Sequence, residues 1–374
     1  MKHRLVFRSL PLPVLLLALC STALASSTWY VDGVNGSDNN HCKSRQHACK
    51  TIGHAVSLAS SGDSIMVAPA IYSEHFTVRR SLTITGSGAS TTIVDGGHHR
   101  YWAVRIPNAN AQVTLSKLTI QNSGRYPSGG GIYNLGTLTI DNCTISGNQA
   151  GLGGGVFNAG TATINDSTIS GNLAKNNGAI DNYGGGTLTI NNSTVRNNSA
   201  TSYLGGIGNE QGTVTINNST ITGNRRDAIL NQDRMTISNS TISGNTAQQG
   251  SGGNLISGGT TILQNTILAN NPSDGNCVGT IISNGYNLSN DNTCNFSNTG
   301  DLNNTDPKLG TLGNHGGPTQ TIPLLSRSPA IDAGNPNGCT DGNGHLLKTD
   351  QRGKPRPDKH SGICDMGAFE RQKD

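Results

Sequence analysis

The sequence predicts an all-β, right-handed single-stranded parallel β-helix with an N-terminal cap and a C-terminal segment packed on the solenoid, and three observations predict it. First, the phrase Gly-Thr-Leu-Thr-Ile-Asp-Asn-Cys-Thr-Ile-Ser-Gly-Asn at Gly136 to Asn148 returns from Gly160 to Asn172, Gly186 to Asn198 and Gly212 to Asn224, with looser copies ending at Asn245 and Asn270. Its aligned isoleucines, Ile140, Ile164, Ile190, Ile216, Ile237 and Ile262, are 24, 26, 26, 21 and 25 residues apart, a period that signals a solenoid. Second, Leu138 and Ile140, Ala162 and Ile164, Leu188 and Ile190, and Val214 and Ile216 alternate with threonines, which is the period of a strand. Third, only 33% of the 374 residues are hydrophobic and 4% aromatic, while 50 are glycine. That composition suits a narrow coil lined by small aliphatic residues, with glycine in turns that need positive φ.

The chain divides into four stretches. Residues 1–25 read as a secretory signal: Lys2, Arg4 and Arg8, an apolar run from Val14 to Leu19, then Ala23-Leu24-Ala25. Cys20 would suit a lipoprotein, but Leu19 precedes it where a small residue is favoured. Residues 26–81 form a cap for the open end of the solenoid, with Ile52, Ala55, Val56 and Ala59 on one helical face and a strand from Gly62-Asp63-Ser64-Ile65 onward. Residues 82–271 are the coils. The Leu-x-x-Leu-x-Leu frame of leucine-rich repeats is missing, and the strict inward isoleucines argue against disorder. Residues 272–374 hold the last irregular coils and the C-terminal segment.

Charge and cysteines narrow the setting. The formal charge of +4 falls to +1 without the three leader cations, so no basic field for nucleic acid remains. No later apolar run approaches the ~20 residues of a membrane span. The expectation is a secreted or cell-surface monomer. Export permits disulfides, and local grouping suggests Cys42 with Cys49, Cys277 with Cys294, and Cys339 with Cys364. Cys143 is left as a buried thiol in the slot filled elsewhere by Ser167, Ser193, Ser219 and Ser240. No Cys-x-x-Cys pair points to zinc.

Three resemblances follow from quoted motifs. Gly36-Ser37-Asp38, Lys50-Thr51-Ile52, Gly62-Asp63-Ser64-Ile65 and Tyr72 resemble the start of pectin-lyase-like β-helix proteins, although Ala70 stands where these usually have glycine. Gly130-Gly131-Ile132-Tyr133-Asn134 and its copies resemble the Gly-Gly-Ala-Ile repeats of polymorphic outer-membrane proteins, without the terminal barrel of an autotransporter. Leu312-Gly313-Asn314-His315-Gly316-Gly317-Pro318, Ser328-Pro329-Ala330-Ile331-Asp332-Ala333-Gly334, Asp350-Gln351-Arg352-Gly353 and Cys364-Asp365-Met366-Gly367-Ala368-Phe369-Glu370 resemble the C-terminal signature of the choice-of-anchor Q family. That resemblance implies a bacterial surface or secreted β-helix protein and no established reaction.

Function is less legible. Pectin-lyase-like folds host polysaccharide lyases, hydrolases and epimerases, whose chemistry needs a base with a cation, or paired carboxylates. The regular coils are nearly free of Asp and Glu outside turn positions, and no catalytic signature of pectate lyases or polygalacturonases is present. Catalytic residues are therefore not assigned, and the reading leans to a non-catalytic scaffold that contacts polysaccharide or cell-surface components. Its candidate contact residues are Tyr133 and Phe157, stacked outward, and the ranks Thr137/Thr139, Thr161/Thr163, Thr187/Thr189 and Thr213/Thr215. Such Thr-x-Thr faces also resemble those of ice-binding β-helices, although Arg234 interrupts one rank. Tyr133 and Phe157 are expected to lie under the C-terminal segment, whose Leu309, Leu312, Ile322, Leu324 and Leu325 need a surface. Asp332, Arg352, Arg356, Asp365 and Glu370 read as surface ion pairs fixing the tail. His98-His99-Arg100-Tyr101-Trp102 and Arg225-Arg226-Asp227 read as solvated loops or capping contacts. No metal or cofactor is required; Asp32, Asp38, Asn39 and Asn40 are a candidate calcium loop. The asparagine series 142/192/218/239, with Asp166, and 148/172/198/224/245/270 read as turn ladders, because asparagine tolerates left-handed backbone and stacks by amide bonding.

Overall fold

The computed structural model describes residues 26–98, 101–124, 126–247, 252–272 and 275–372, so the leader and the pair His99-Arg100 lie outside it. The chain is an all-β solenoid whose strands form sheets of 18, 10 and 4 members. One coil shows how the repeat builds it. Thr137–Asp141 points Leu138 and Ile140 into the core and Thr137 and Thr139 out. Asn142 then turns the chain at φ 51°, and Thr144–Ser146 lies in the second sheet. Gly147, at φ 65°, leads to Asn148 and to Gln149–Leu152 in the third sheet. Gly153, at φ 58°, returns the chain to Val156–Asn158 in the first sheet. Each strand pairs in parallel with its copy one coil on, so Thr137, Thr161, Thr187 and Thr213 stack in register, as do Thr139, Thr163, Thr189 and Thr215.

The core is a set of single-file aliphatic stacks closed at the corners by amide ladders. Asn148, Asn172, Asn198, Asn224 and Asn245 are fully buried, each Nδ2 donating to the next Oδ1 at 2.9–3.0 Å. The following rungs are Asn254 and Asn276. Asn270, expected as the sixth, is instead an exposed turn residue at φ 55°. A second ladder, Asn134, Asn158, Asn182, Asn209 and Asn231, closes the opposite corner at 2.7–2.9 Å. Asn142, Asp166, Asn192, Asn218 and Asn239 all adopt left-handed backbone, at φ 48–52°.

One core register differs from expectation. Leu263, not Ile262, pairs with Ile237 and is fully buried, while Ile262 pairs with the outward Thr236. The short and long strands of that coil merge into Leu255–Gln264. With apolar side chains at both 262 and 263, period 2 alone does not choose between frames, and a one-residue slip exchanges the faces.

Cys42–Cys49, Cys277–Cys294 and Cys339–Cys364 are disulfides, and Cys143 is a buried free thiol. Cys143 heads a ladder in which each backbone N–H donates to the next side-chain oxygen, Cys143 to Ser167, Ser167 to Ser193, Ser193 to Ser219 and Ser219 to Ser240, at 3.0–3.2 Å. Burial pushes its thiol up to about 12.

At the N-terminal end, helix Ile52–Leu58 turns Ile52, Ala55 and Val56 inward. Thr51 caps it, and the Glu74 carboxylate accepts from the N–H groups of Ile52 and Gly53, both at 2.8 Å. At the other end the tail runs back along the second sheet. Thr319 donates to the Asn192 carbonyl, Gln351 bonds Thr194 and Thr220, and Ala368 N–H donates to Thr241 Oγ1. Ile322 and Leu324 are buried, the latter with Ile267, Leu288, Ala330 and Met366, while Leu325 is exposed.

This tail corrects two expectations. Leu309 and Leu324 of the tail meet Ile267 and Leu288 of the last coils and its hydrogen bonds run along the second sheet, so it does not cover Tyr133 and Phe157 on the first. Its ion pairs are interior rather than superficial: Arg356 Nε meets Glu370 Oε2 at 3.0 Å with both side chains at 0% exposure. The other Arg356 nitrogens reach Asn218 Oδ1 and the Gly367 carbonyl. Asp350 holds Arg352 at 2.6 Å, and the guanidinium lies over Phe369. Asp365 accepts from the N–H groups of Asp332 and Arg371. The signature residues thus form a clasp that fastens the tail to the coils.

Candidate functional site

The outward rank of the short strands runs Arg105, Tyr133, Phe157, Asp181, Gly208, Leu230, Ile256 by strand register. Tyr133 and Phe157 stack with ring centroids 5.2 Å apart and planes 7° from parallel. Trp102 meets Tyr133 at 5.3 Å, Tyr183 meets Phe157 at 6.2 Å, and Arg105 lies over the Trp102 ring. The two central rings therefore spend their facing surfaces on each other, and Phe157 is nearly buried. Tyr183, which meets Phe157, is 40% exposed, and Tyr203 and Tyr101 are exposed at 39% and 52%.

Directly after the aromatics comes an acid. Asp181 is fully buried, and neither carboxylate oxygen has a hydrogen-bond partner. Burial, and secondly the charge of Glu210, raise its pKa to about 7. Asn177, buried at φ 56°, places its amide over Gly208, where a Cβ would come within 2.5 Å of Asn177 Cγ and Oδ1. The Asn177 amide nitrogen donates to Glu210 Oε1 at 3.1 Å and leans toward Asp181, offsetting part of its rise without hydrogen-bond geometry. Burial, then Glu210 and Asp227, raise the Tyr203 phenol, whose oxygen accepts from Gln232 at 3.4 Å.

The other expected groups fall elsewhere. Thr137, Thr161, Thr187 and Thr213 are exposed, and Thr139, Thr163, Thr189 and Thr215 half-buried, on the long strands of the same sheet. Gly342 of the tail sits against Thr215 and Thr236, so the end of the second rank is covered; Arg234 ends the first. The Asp32 and Asp38 carboxylates accept from their own loop: Asp32 from the N–H groups of Val34 and Asn35, Asp38 from those of Lys50 and Thr51 and from the Thr51 hydroxyl. Among the described residues, the one group of three Cys, His, Asp or Glu ligand atoms within 4.8 Å is Cys42, Cys49 and His54, whose sulfurs are joined to each other. Trp102 Nε1 donates to the Ser128 carbonyl and Tyr101 stacks on His75. In the sequence Asp181 is one position of a mixed outward rank, and Glu210 directly follows the short strand Ile207–Asn209; an acid in a rank of apolar and aromatic neighbours is the signal that marks the site.

No protein-family model matches the chain, and no curated protein matches it. Among solved structures it is similar to pectate lyase Pel9A, with TM-score 0.53 and 15% identity over 94% of this chain and 98% of that one. It is also similar to XylC in complex with xylose, with TM-score 0.43 and 10% identity over 92% and 98%. Pectin methylesterase PemA from Erwinia chrysanthemi gives 0.41 and 15% over 70% and 90%. At these identities the likeness is one of fold, and it rests on the first: the chain is a pectin-lyase-like right-handed parallel β-helix.

Proposed function

We propose that this chain is an exported, surface-associated or secreted β-helix protein of the choice-of-anchor Q kind that binds a polysaccharide without cleaving it. The observation that carries the reading is the outward aromatic rank, Tyr133 and Phe157 flanked by the open ring of Tyr183 and by Arg105, with the exposed Tyr203 on a later coil. Flat rings and a cation on a rigid sheet suit the apolar faces and hydroxyls of sugar units. The neighbouring ranks Thr137, Thr161, Thr187 and Thr213 extend the same sheet as a hydroxyl surface for glycan or cell-surface contact. The three disulfides and the lack, among described residues, of any helix long and apolar enough to cross a membrane are consistent with an extracytoplasmic protein.

Binding to a panel of immobilised uronans and neutral glycans, together with release of reducing ends or unsaturated products, tests it. The expected result is retention on at least one glycan, lost in Tyr183→Ala/Tyr203→Ala, with no turnover. Robust turnover abolished by Asp181→Asn or Glu210→Gln would instead establish the polysaccharide-active alternative, which the raised Asp181 beside Glu210 favours. No retention and no turnover on any glycan would remove both readings.

A further inference from the structure

We propose that Asp181, Asn177 and Glu210 form a calcium-binding site on the outer face of the short strands. Two oxygens of Asp181 and Oδ1 of Asn177 are buried without a hydrogen-bond partner, whereas the amides of the two corner ladders are paired from coil to coil. Burying an unpaired carboxylate is among the costliest arrangements a fold can hold, unless a cation or a proton compensates it. Three features favour the cation.

The donors are all oxygens, the set that hard divalent ions select. Glu210 brings a second negative charge to the Asn177 amide, 3.1 Å away. Half a turn of that amide about its last torsion exchanges its nearly isosteric nitrogen and oxygen, gives up the bond to Glu210 and presents Oδ1 to the two carboxylates. The oxygen then faces like partial charges, which holds only with a cation between them. Finally, Gly208 interrupts the outward rank, and its missing Cβ makes the space the amide occupies. Asp181, Asn177 and Glu210 offer up to five oxygens, and water completes the six to eight that calcium takes. Magnesium, which requires a tighter octahedron and keeps its waters, fits this set less well. The inference does not rest on glycan binding.

The full chain, dialysed against EGTA, is titrated with calcium, magnesium or terbium, with no glycan present, and followed by calorimetry, thermal melting and tyrosine-sensitised terbium emission. One saturable calcium site that raises Tm is expected, with magnesium weaker. Asp181→Asn, isosteric and free of the buried charge, abolishes it. Gly208→Ala keeps both carboxylates but displaces the Asn177 amide, and weakens affinity by roughly 10-fold or more, as loss of a supporting contact at a metal site does. Asp32→Asn leaves binding unchanged. Wild-type protein with no calcium-dependent Tm shift or heat overturns the proposal and leaves a proton as the compensating charge. Equal calcium response in wild type and Asp181→Asn overturns it as well.

Discussion

Replacing Asn172 by alanine tests what holds the coils together. Its Oδ1 accepts from both the backbone N–H and the Nδ2 of Asn148, each at 3.0 Å, and its Nδ2 donates to the Ile145 carbonyl at 3.0 Å and Asn198 Oδ1 at 2.9 Å. Alanine removes all four bonds and puts nothing in their place. Asn198 Oδ1 keeps the Asn172 backbone N–H, and Asn148 Nδ2 keeps the Ile120 carbonyl. The Asn148 backbone N–H, however, is left without its partner at a fully buried position. An orphaned buried group costs about 1–3 kcal/mol, and each net hydrogen bond lost elsewhere about 1 kcal/mol. The expected destabilisation is therefore about 3–5 kcal/mol, a large share of a typical stability of roughly 5–15 kcal/mol. Urea unfolding should show the midpoint falling at unchanged slope. Thr163→Ala, on the outer face, is the control and should stay within about 0.5 kcal/mol. Asn172→Asp keeps the accepted bonds and, while protonated, one donated bond through its O–H, so at low pH it should lie between wild type and alanine and worsen as the buried carboxyl ionises. An alanine variant within about 1 kcal/mol of wild type would show that backbone pairing and aliphatic packing carry the corner without the ladder.

Arg356→Ala leaves Glu370 buried and uncompensated; with about 3–5 kcal/mol lost from the clasp, limited proteolysis should cut the tail while the coils persist, and an uncut tail would refute the clasp. Cys143→Ser should change stability by less than about 1 kcal/mol, because serine already fills this slot at 167, 193, 219 and 240 and a hydroxyl can donate to the Asp141 carbonyl as the thiol does; a melt several degrees lower would contradict the ladder. In chelator, Asp181 should make the fold less stable as pH rises: the folded state keeps its proton to about pH 7 and the unfolded chain loses it near pH 4, so the contribution is fully present below about pH 4 and gone above about 7. Asp181→Asn should flatten that slope and raise stability at pH 8 by at most about 4 kcal/mol; unchanged pH dependence would refute the buried-acid assignment.

What could be read from the sequence follows from how a solenoid repeats. Inward isoleucines, left-handed asparagines and stacked threonines recur at one slot per coil, so each copy corroborates the others and the register of Thr137, Thr161, Thr187 and Thr213 follows. The same logic fails where a coil departs from the pattern. Ile262 and Leu263 compete for one inward slot in the coil whose short and long strands have fused into one, and Asn254 rather than Asn270 continues the ladder. The tail occurs once, so no copy revealed that Arg356 and Glu370 close inward on Asn218 instead of facing solvent. The acid site belongs to the same class: Asn177 and Asp181 lie on one coil and Glu210 on the next, and their meeting depends on Gly208 lacking a side chain. In a protein whose repeat already satisfies the backbone and the core, a residue that keeps the repeat contributes mainly to stability. Asp181 breaks it by placing an unpaired carboxylate between a phenylalanine and a glycine, at a cost in stability that only a bound ligand or a proton can offset. Functional tests on this chain therefore belong first at the positions where the repeat is broken.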